Sequence, residues 1–137
     1  MMKIVIDTNI LISAVLSPQG NPAKILALIS DNDDMQLIYC AGILDEYARV
    51  LGYPRLKIAS EKQARAISLV RVFGELVEPT MSTVPLPDES DRIFYDTAKD
   101  SGAMLVTGNI KHFPAEPFIM TPADFIEKLA GNESARI

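Results

Sequence analysis

Short runs of branched apolar residues alternate along this chain with longer stretches of helical character, and that alternation constrains the fold most. The first apolar run, Lys3–Asp7, is followed by a helical pattern over Asn9–Leu16, and the same change of period recurs along the chain. Parallel strands need a crossover between them, which is usually a helix. The sequence therefore predicts an α/β fold of three layers, α/β/α, around a five-stranded parallel sheet.

The bounds of the predicted elements follow from apolar periodicity and from turn and cap residues. The predicted strands are Lys3–Asp7, Gln36–Cys40, Leu76–Val77, Ala103–Thr107 and Phe118–Met120. The predicted helices are Asn9–Leu16, Pro22–Ser30, Ile43–Leu51, Glu61–Phe73, Glu89–Lys99 and a last one that Thr121 caps. The length of 137 residues suits a single domain over residues 1–130, and residues 131–137 are expected to form a disordered tail.

The composition argues against several classes of protein. A net charge of −5 is unsuited to a protein that coats nucleic acid by charge alone. No apolar stretch approaches the ~20 residues of a membrane span, and Met1 and Lys3 stand directly before a strand rather than in a signal peptide. Cys40 is the one cysteine, so no disulfide can form within the chain. We therefore expect a cytoplasmic protein that has no membrane partner.

Acidic and amide side chains follow the predicted strands. Asp7 ends the first strand, Glu46 lies early in the helix after the second, and Asp91 lies early in the helix after the third. Asn109 follows the fourth strand. In a parallel α/β sheet, ligands bind outside the carboxyl ends of the strands, near the point where the strand order reverses. We therefore expect these four side chains to share one edge of the sheet.

Three carboxylates at one edge need a counter-charge. Two carboxylates ~4 Å apart repel by roughly 4 kcal/mol at an effective dielectric constant of ~20. No Lys or Arg adjoins Asp7 or Glu46 in the sequence, and Arg92, next to Asp91, points about 100° away from it on a helix. Oxygen donors suit Mg²⁺ or Mn²⁺ and not Zn²⁺. The pattern therefore predicts a metal site of the kind found in phosphodiesterases.

Each of these residues also has a purely structural interpretation, which the pattern alone leaves open. The alternatives are a helix cap at Asp7, a solvated side chain at Glu46, a cap or a pair with Arg92 or Tyr95 at Asp91, and a turn at Asn109. The metal site is favoured because all four residues fall at the same end of the predicted sheet.

Four segments, taken together and in order, closely resemble the PIN-domain ribonucleases, and in particular the branch of toxins from toxin–antitoxin pairs. The segments are IVIDTNILISA at the N-terminal end, ILDEYARVL around Glu46, ESDRIFYDTAKDSGAMLVTGN around Asp91, and KHFP after it. The resemblance spans residues 3–124. It implies a PIN-like sheet with the strand order 3-2-1-4-5.

The resemblance also implies roles for individual residues. The acidic site of the family falls on Asp7, Glu46 and Asp91, which would hold Mg²⁺ or Mn²⁺. A position that orients the site falls on Asn9, and the Thr or Ser of the fourth-strand motif falls on Thr107. A further acid often present in that motif is replaced here by the uncharged Asn109, which puts a second metal ion in question. Glu46 or Asp91 would orient or deprotonate the attacking water.

The function implied by the resemblance is metal-dependent endoribonuclease activity, in a homodimer whose partner protein is an antitoxin. His112 is the only histidine, which excludes an RNase mechanism that uses two histidines. Lys24, Arg49, Arg92 and Lys111 are candidate phosphate contacts.

Two alternatives to the ribonuclease remain at this point. The first is a catalytically silent PIN scaffold that binds RNA or a protein, which the departure at Asn109 would support. The second is a phosphoryl-accepting receiver domain. The sequence disfavours a receiver, because the third strand lacks a terminal Asp and the fifth ends at Met120 and Thr121 without a Lys.

Overall fold

The computed structural model describes residues 1–135, and the side chains of residues 1–131; at its centre is a sheet of five parallel strands. The strands are β1 (Met2–Ile6), β2 (Met35–Tyr39), β3 (Gly74–Leu76), β4 (Met104–Val106) and β5 (Ile119–Met120). They pair in the order β3-β2-β1-β4-β5, and every pairing is parallel. This confirms the predicted fold class and the predicted strand order.

Helices connect the strands. They are α1 (Thr8–Leu16), α2 (Asn21–Asp31), α3 (Ala41–Leu51), α4 (Ser60–Phe73), α5 (Arg92–Ser101) and α6 (Pro122–Ala135). Each corresponds to a predicted helix, but the predicted helix Glu89–Lys99 was wrong at its start. Glu89–Asp91 forms a separate 3-10 turn that Asp88 caps through the backbone N–H of Ser90, and α5 begins at Arg92.

The last helix begins as predicted, with Thr121 accepting a hydrogen bond of 3.2 Å from the backbone N–H of Asp124. It continues to Ala135, into the segment 131–137 for which a disordered tail was predicted. Residues 136–137 of that segment lie outside the described residues, so the disordered tail, and with it the domain bound at residue 130, stays a prediction.

The core is formed where the central strands are covered on both faces. Ile4, Val5 and Ile6 of β1 are fully buried, as are Leu105 and Val106 of β4. A continuous apolar run of this kind is typical of a parallel strand with helices on both sides. In the part of the chain that the structure describes, no helix is long and apolar enough to cross a membrane.

The edge strand β3 differs from the centre. Leu76 is exposed, and so is Phe73 at the end of α4, although the helical period of α4 suggested that Phe73 points inward with Val70. Val70 is fully buried. Because β1 and β4 are neighbours and both run in the same direction, their carboxyl ends meet in the middle of the sheet, where the reversal of strand order was expected.

Candidate active site

Asp7 lies at the junction of β1 and α1, and its carboxylate is buried there. Its backbone N–H donates to the carbonyl oxygen of Val106 (2.9 Å), which extends the pairing of β1 and β4 by one residue. One carboxylate oxygen caps α1 by accepting a 2.8 Å hydrogen bond from the backbone N–H of Thr8. The structural interpretation of Asp7 as a helix cap is therefore correct, and it leaves the second carboxylate oxygen for other contacts.

That second oxygen, Oδ2, is held from two sides. Thr107 Oγ1 donates a hydrogen bond of 2.7 Å to it, and Asn9 Nδ2 approaches at 3.3 Å. Asn9 Oδ1 in turn accepts a 3.0 Å hydrogen bond from the backbone N–H of Gly108. A Cβ at Gly108 would lie 3.3 Å from Asn9 Oδ1, which leaves little room for a side chain. The predicted supporting residues Asn9 and Thr107 thus contact Asp7 directly and join the carboxyl ends of β1 and β4.

Glu46 reaches the same region from the first half of α3. One carboxylate oxygen accepts a hydrogen bond from Thr8 Oγ1, and the other lies 3.7 Å from Arg49 Nη2, one turn along the helix. Glu46 is therefore not the freely solvated residue of the structural alternative. No cation adjoins Glu46 in the sequence, but Arg49 follows it at the i,i+3 spacing that favours ion pairs on a helix, so this pair could have been predicted.

Tyr47 fixes α3 against β1. Its side chain is fully buried, its hydroxyl donates a hydrogen bond to the carbonyl oxygen of Ile6, and its ring packs at a tilt against Phe94 of α5. Burial, together with the charges of Asp7 and Glu46, raises the pKa of the phenol well above its usual value, so it stays a donor. This role was not predictable from the sequence, because a Tyr on the apolar face of a helix is usually a core residue.

Asp91 occupies the last residue of the 3-10 turn, directly before α5. Its carboxylate makes no capping hydrogen bond. Arg92 pairs with Glu89 instead (2.7 Å), and the Tyr95 hydroxyl contacts Glu116 (3.2 Å), so the structural alternatives for Asp91 were wrong. Among the side-chain atoms of the described residues, Asp91 Oδ2 is buried without a hydrogen-bond partner. His112 Nδ1 lies 3.5 Å from this oxygen, so the loop after β4 reaches the site.

The two aspartates are electrostatically coupled. Burial raises the pKa of Asp7, and the hydrogen bonds from Thr107 and Thr8 oppose that rise. Burial, reinforced by the charges of Asp7 and Asp88, raises the pKa of Asp91 to about 6. A cation at this edge would relieve both penalties, because positive charge favours the ionised form of each carboxyl group.

Asn109 lies at the rim of the site. Its backbone N–H donates to Thr107 Oγ1 (3.0 Å), and its side chain is exposed. It is therefore a turn residue beside the acidic site, which agrees with its structural interpretation. An exposed amide leaves space at this rim for solvent or for a bound ligand.

Arg92 is not available as a phosphate contact, contrary to the sequence-based expectation. Its buried guanidinium donates to the carbonyl oxygens of Ser82 (2.8 Å) and Val84 (2.7 Å) and to the carboxylate of Glu89 (2.7 and 2.8 Å). Asp96 holds the same loop by accepting a 2.9 Å hydrogen bond from the backbone N–H of Ser82. These contacts tie the loop between β3 and α5 to the turn that carries Asp91.

The carboxylate oxygens of this site are the kind of ligand that a hard divalent cation prefers. The carboxylates of Asp7 and Asp91 lack a full counter-charge when they are ionised. Asp91 Oδ2 has no hydrogen-bond partner, and a divalent cation would supply the positive partner that this oxygen lacks. Within residues 1–131, no three His, Cys, Asp or Glu side chains are gathered closely enough to hold a metal ion by themselves. Thr8 and Arg49 engage the carboxylate of Glu46.

Comparisons with known proteins agree with this fold. Residues 3–111 match the family model described as the PIN domain. A protein of uncharacterised function from Methanocaldococcus jannaschii is 31% identical over 111 residues, which cover 79% of this chain and 71% of that protein.

Two solved structures share the fold. One is VapBC2 from Rickettsia felis bound to a DNA fragment from their promoter, with a TM-score of 0.59, 17% identity, and coverage of 88% of this chain and 97% of that chain. The other is a protein of Pyrobaculum aerophilum, with a TM-score of 0.60, 15% identity, and coverage of 95% and 90%. From the sequence match and the sheet order together, the chain belongs to the PIN-domain family.

Proposed function

We propose that this protein is a metal-dependent endoribonuclease that hydrolyses RNA phosphodiester bonds. PIN domains are a family of nucleases, which makes hydrolysis of a phosphodiester the reaction class. The observation that carries the proposal is the pair Asp7 and Asp91, two partly desolvated carboxylates of raised pKa at the carboxyl edge of the sheet. Such a pair is costly for a fold unless a cation compensates it.

Asp7 and Asp91 would hold Mg²⁺ or Mn²⁺, with Glu46 as the third acid of the site. When bound, the cation supplies positive charge that lowers the pKa of a water molecule and stabilises charge on phosphate oxygens. Thr107 and Asn9 keep Asp7 in place, and Tyr47 keeps α3, and so Glu46, against β1. Glu46 or Asp91 would orient the attacking water and accept its proton.

The biological setting we propose is that of a toxin held by an antitoxin in the cytoplasm. It is supported by the resemblance of the motifs around Asp7 and Asp91 to that branch of the family. It is also supported by an apolar groove of about 400 Å³ between α1, α2 and α4. Leu11, Leu26 and Leu69 line this groove, and Lys62 and Arg65 add positive charge. An amphipathic antitoxin helix with acidic flanking residues would fit it. Homodimerisation stays a prediction from the resemblance.

A catalytically silent PIN scaffold is the second candidate, and Asn109 is the observation that favours it. The amide brings no charge to the rim where many family members carry an acid. The half-buried carboxylate of Asp91 weighs against this candidate, because its Oδ2 atom has no hydrogen-bond partner and a bound cation would supply one.

The test is a cleavage assay on an unstructured RNA with Mg²⁺, with Mn²⁺ and with EDTA. Asp7→Asn and Asp91→Asn, purified in parallel, accompany the parent protein. Cleavage that needs the metal and is lost in both variants is the expected result. Cleavage that persists in both variants would identify a contaminating ribonuclease, and metal binding without any cleavage would favour the silent scaffold.

A further inference from the structure

A basic and aromatic cluster adjoins the acidic site at the end of α3. It consists of Arg49, Tyr53 and Arg55, and is called the Tyr53 cluster below. Arg49 Nη1 donates a 2.5 Å hydrogen bond to the Tyr53 hydroxyl. The guanidinium carbons of Arg49 and Arg55 lie 5.9 and 5.5 Å from the centre of the Tyr53 ring. One aromatic ring thus holds two cationic groups close together at the surface.

The charge of this cluster departs from that of the whole chain. The protein carries a net charge of −5, yet residues 49–57 contain Arg49, Arg55 and Lys57 and no acidic residue. All three cations are exposed, and Arg55 makes no hydrogen bond or ion pair to a side chain in the part of the chain that the structure describes. Two guanidinium groups held at one ring repel each other, and an anion bound between them would remove that repulsion.

The cluster is also connected to the acidic site. Arg49 Nη2 lies 3.7 Å from Glu46 Oε1, and Tyr53 follows one turn further along the chain. The five residue steps from Glu46 to Leu51, where α3 ends, correspond to about 7.5 Å at ~1.5 Å per helical residue, and Tyr53 follows two residues later. In duplex geometry the phosphates of one strand are ~3.4 Å apart along the axis, so about two to three nucleotides cover that length. The phosphates flanking a bond at the acidic site would therefore come within reach of Arg49 and Arg55.

We propose that the Tyr53 cluster is a backbone-binding subsite for the single-stranded nucleic acid whose phosphodiester lies at the acidic site. In it, Arg49 and Arg55 contact phosphates, and Tyr53 keeps the two guanidinium groups in place. Each guanidinium has five N–H donors and can therefore bind phosphate oxygens in pairs while it stays beside the ring. The inference rests on the proposed function, since it takes the same strand as its ligand.

The test measures binding without cleavage. Fluorescence anisotropy of a labelled oligo(U) and of oligo(dT) is recorded with the full chain in EDTA over a series of salt concentrations. We expect Arg55→Gln to weaken binding several-fold at low salt and to reduce the slope of log K against log salt by about 0.7, the value of one phosphate contact on a single strand. Arg71→Gln, which changes an exposed arginine in the last turn of α4, is the matched control and should leave both values unchanged.

Two variants of Tyr53 separate a built subsite from a diffuse positive patch. Tyr53→Leu keeps both charges but removes the ring, and we expect it to weaken binding about as much as Arg55→Gln. Tyr53→Phe keeps the ring and should retain most of the affinity. The thermal unfolding midpoint of every variant should match that of the parent.

Equal losses on oligo(U) and oligo(dT) would support contacts to phosphates alone, and larger losses on oligo(U) would support contacts that include the ribose hydroxyl. If Arg55→Gln and Tyr53→Leu both bind the oligonucleotides with the affinity and the salt dependence of the parent protein, the proposed subsite is wrong. Because these measurements need no cleavage, the subsite can be contradicted while the nuclease assay supports the proposed function. The subsite can also be supported while the nuclease assay contradicts that function.

Discussion

Thr107 Oγ1 donates a hydrogen bond of 2.7 Å to Asp7 Oδ2 at the point where β4 and β1 end side by side. Both side chains are buried, and burial raises the pKa of Asp7. The bond lowers that pKa and so favours the ionised carboxylate that a cation requires. The same hydroxyl accepts from the backbone N–H of Asn109, which joins the site to the loop after β4.

Replacing Thr107 by Val should remove this donor at nearly constant shape. We expect the free energy of unfolding in urea to fall by about 1–3 kcal/mol, since a buried carboxylate loses a hydrogen bond. Mn²⁺ binding, measured by calorimetry, should weaken as well. Thr97→Val is the matched control, because Thr97 is equally buried but its hydroxyl lies 3.5 Å from Cys40 Sγ. Equal losses in the two variants would contradict a special role for Thr107.

The hydroxyl of Tyr47 should matter for both stability and activity. Tyr47→Phe leaves the carbonyl oxygen of Ile6 without its donor in the core, and we expect a loss of about 1–2 kcal/mol in urea unfolding. Since the same bond holds α3 against β1, cleavage should slow as Glu46 loses its position. In Tyr95→Phe the lost contacts are long and partly exposed, 3.2 Å to Glu116 and 3.4 Å from Lys99, so a smaller loss is expected. A Tyr47→Phe protein as stable as the parent would count against this anchor.

The architecture was predictable because it depends on patterns that are local in sequence. Each central strand is a continuous apolar run, and each helix has its own apolar period, so these patterns predicted the fold class correctly. The strand order was predicted from the resemblance to the PIN-domain ribonucleases, since no local pattern specifies it. The first and last residues of an element were less predictable where no side chain marks the change in backbone conformation. Asp88 caps a 3-10 turn and not α5 itself, and the residue types around Asp91 do not distinguish a 3-10 turn from the first turn of an α-helix.

The candidate site was predictable in its members but not in its contacts. That Asp7, Thr107 and Asn9 touch follows from strand pairing, which the sheet order implies. The contact of Glu46 with Thr8 depends on how α3 packs across α1, and that of Asp91 with His112 depends on the path of a loop. Such contacts between distant residues leave no periodic signal in a single sequence.

The carboxylate of Glu46 should be needed for cleavage rather than for folding. We expect Glu46→Gln to lower kcat/KM on RNA by about 100-fold or more, since the amide neither accepts a proton nor carries charge. The unfolding midpoint should stay close to that of the parent, because an amide oxygen can still accept from Thr8. Asp45→Asn removes the neighbouring exposed acid of α3 and serves as the control. If the two variants cleave equally well, Glu46 is not part of the active site.

Asn109→Asp would restore a fourth acid at the rim of the site. With metal bound, the added charge should tighten Mn²⁺ binding several-fold, measured by calorimetry. Without metal it should lower the unfolding midpoint, because one more carboxylate adds repulsion near Asp7 and Asp91. The opposite signs of the two effects make the test specific. A variant with unchanged metal affinity would show that the Asn109 side chain lies outside the reach of the metal.

The raised pKa of Asp91 predicts how the stability of the metal-free protein depends on pH. Its pKa is about 6 in the folded protein against 3.8 in the unfolded chain, so between these values the folded state binds the additional proton. Stability should therefore fall as the pH rises from about 4 to about 6, and the full penalty should persist at neutral pH.

Asp91→Asn tests this prediction, because it removes the titrating group and keeps the shape of the side chain. The difference in unfolding free energy between Asp91→Asn and the parent should grow through that pH window in favour of the variant. Because Asp91 is partly solvated, we expect a gain of order 1 kcal/mol at pH 7. Mn²⁺ should reverse the order by stabilising the parent alone, by RT ln(1 + [Mn²⁺]/Kd). A parent that is the more stable protein at pH 7 without metal would contradict the argument that Asp91 is kept at a cost for binding a cation.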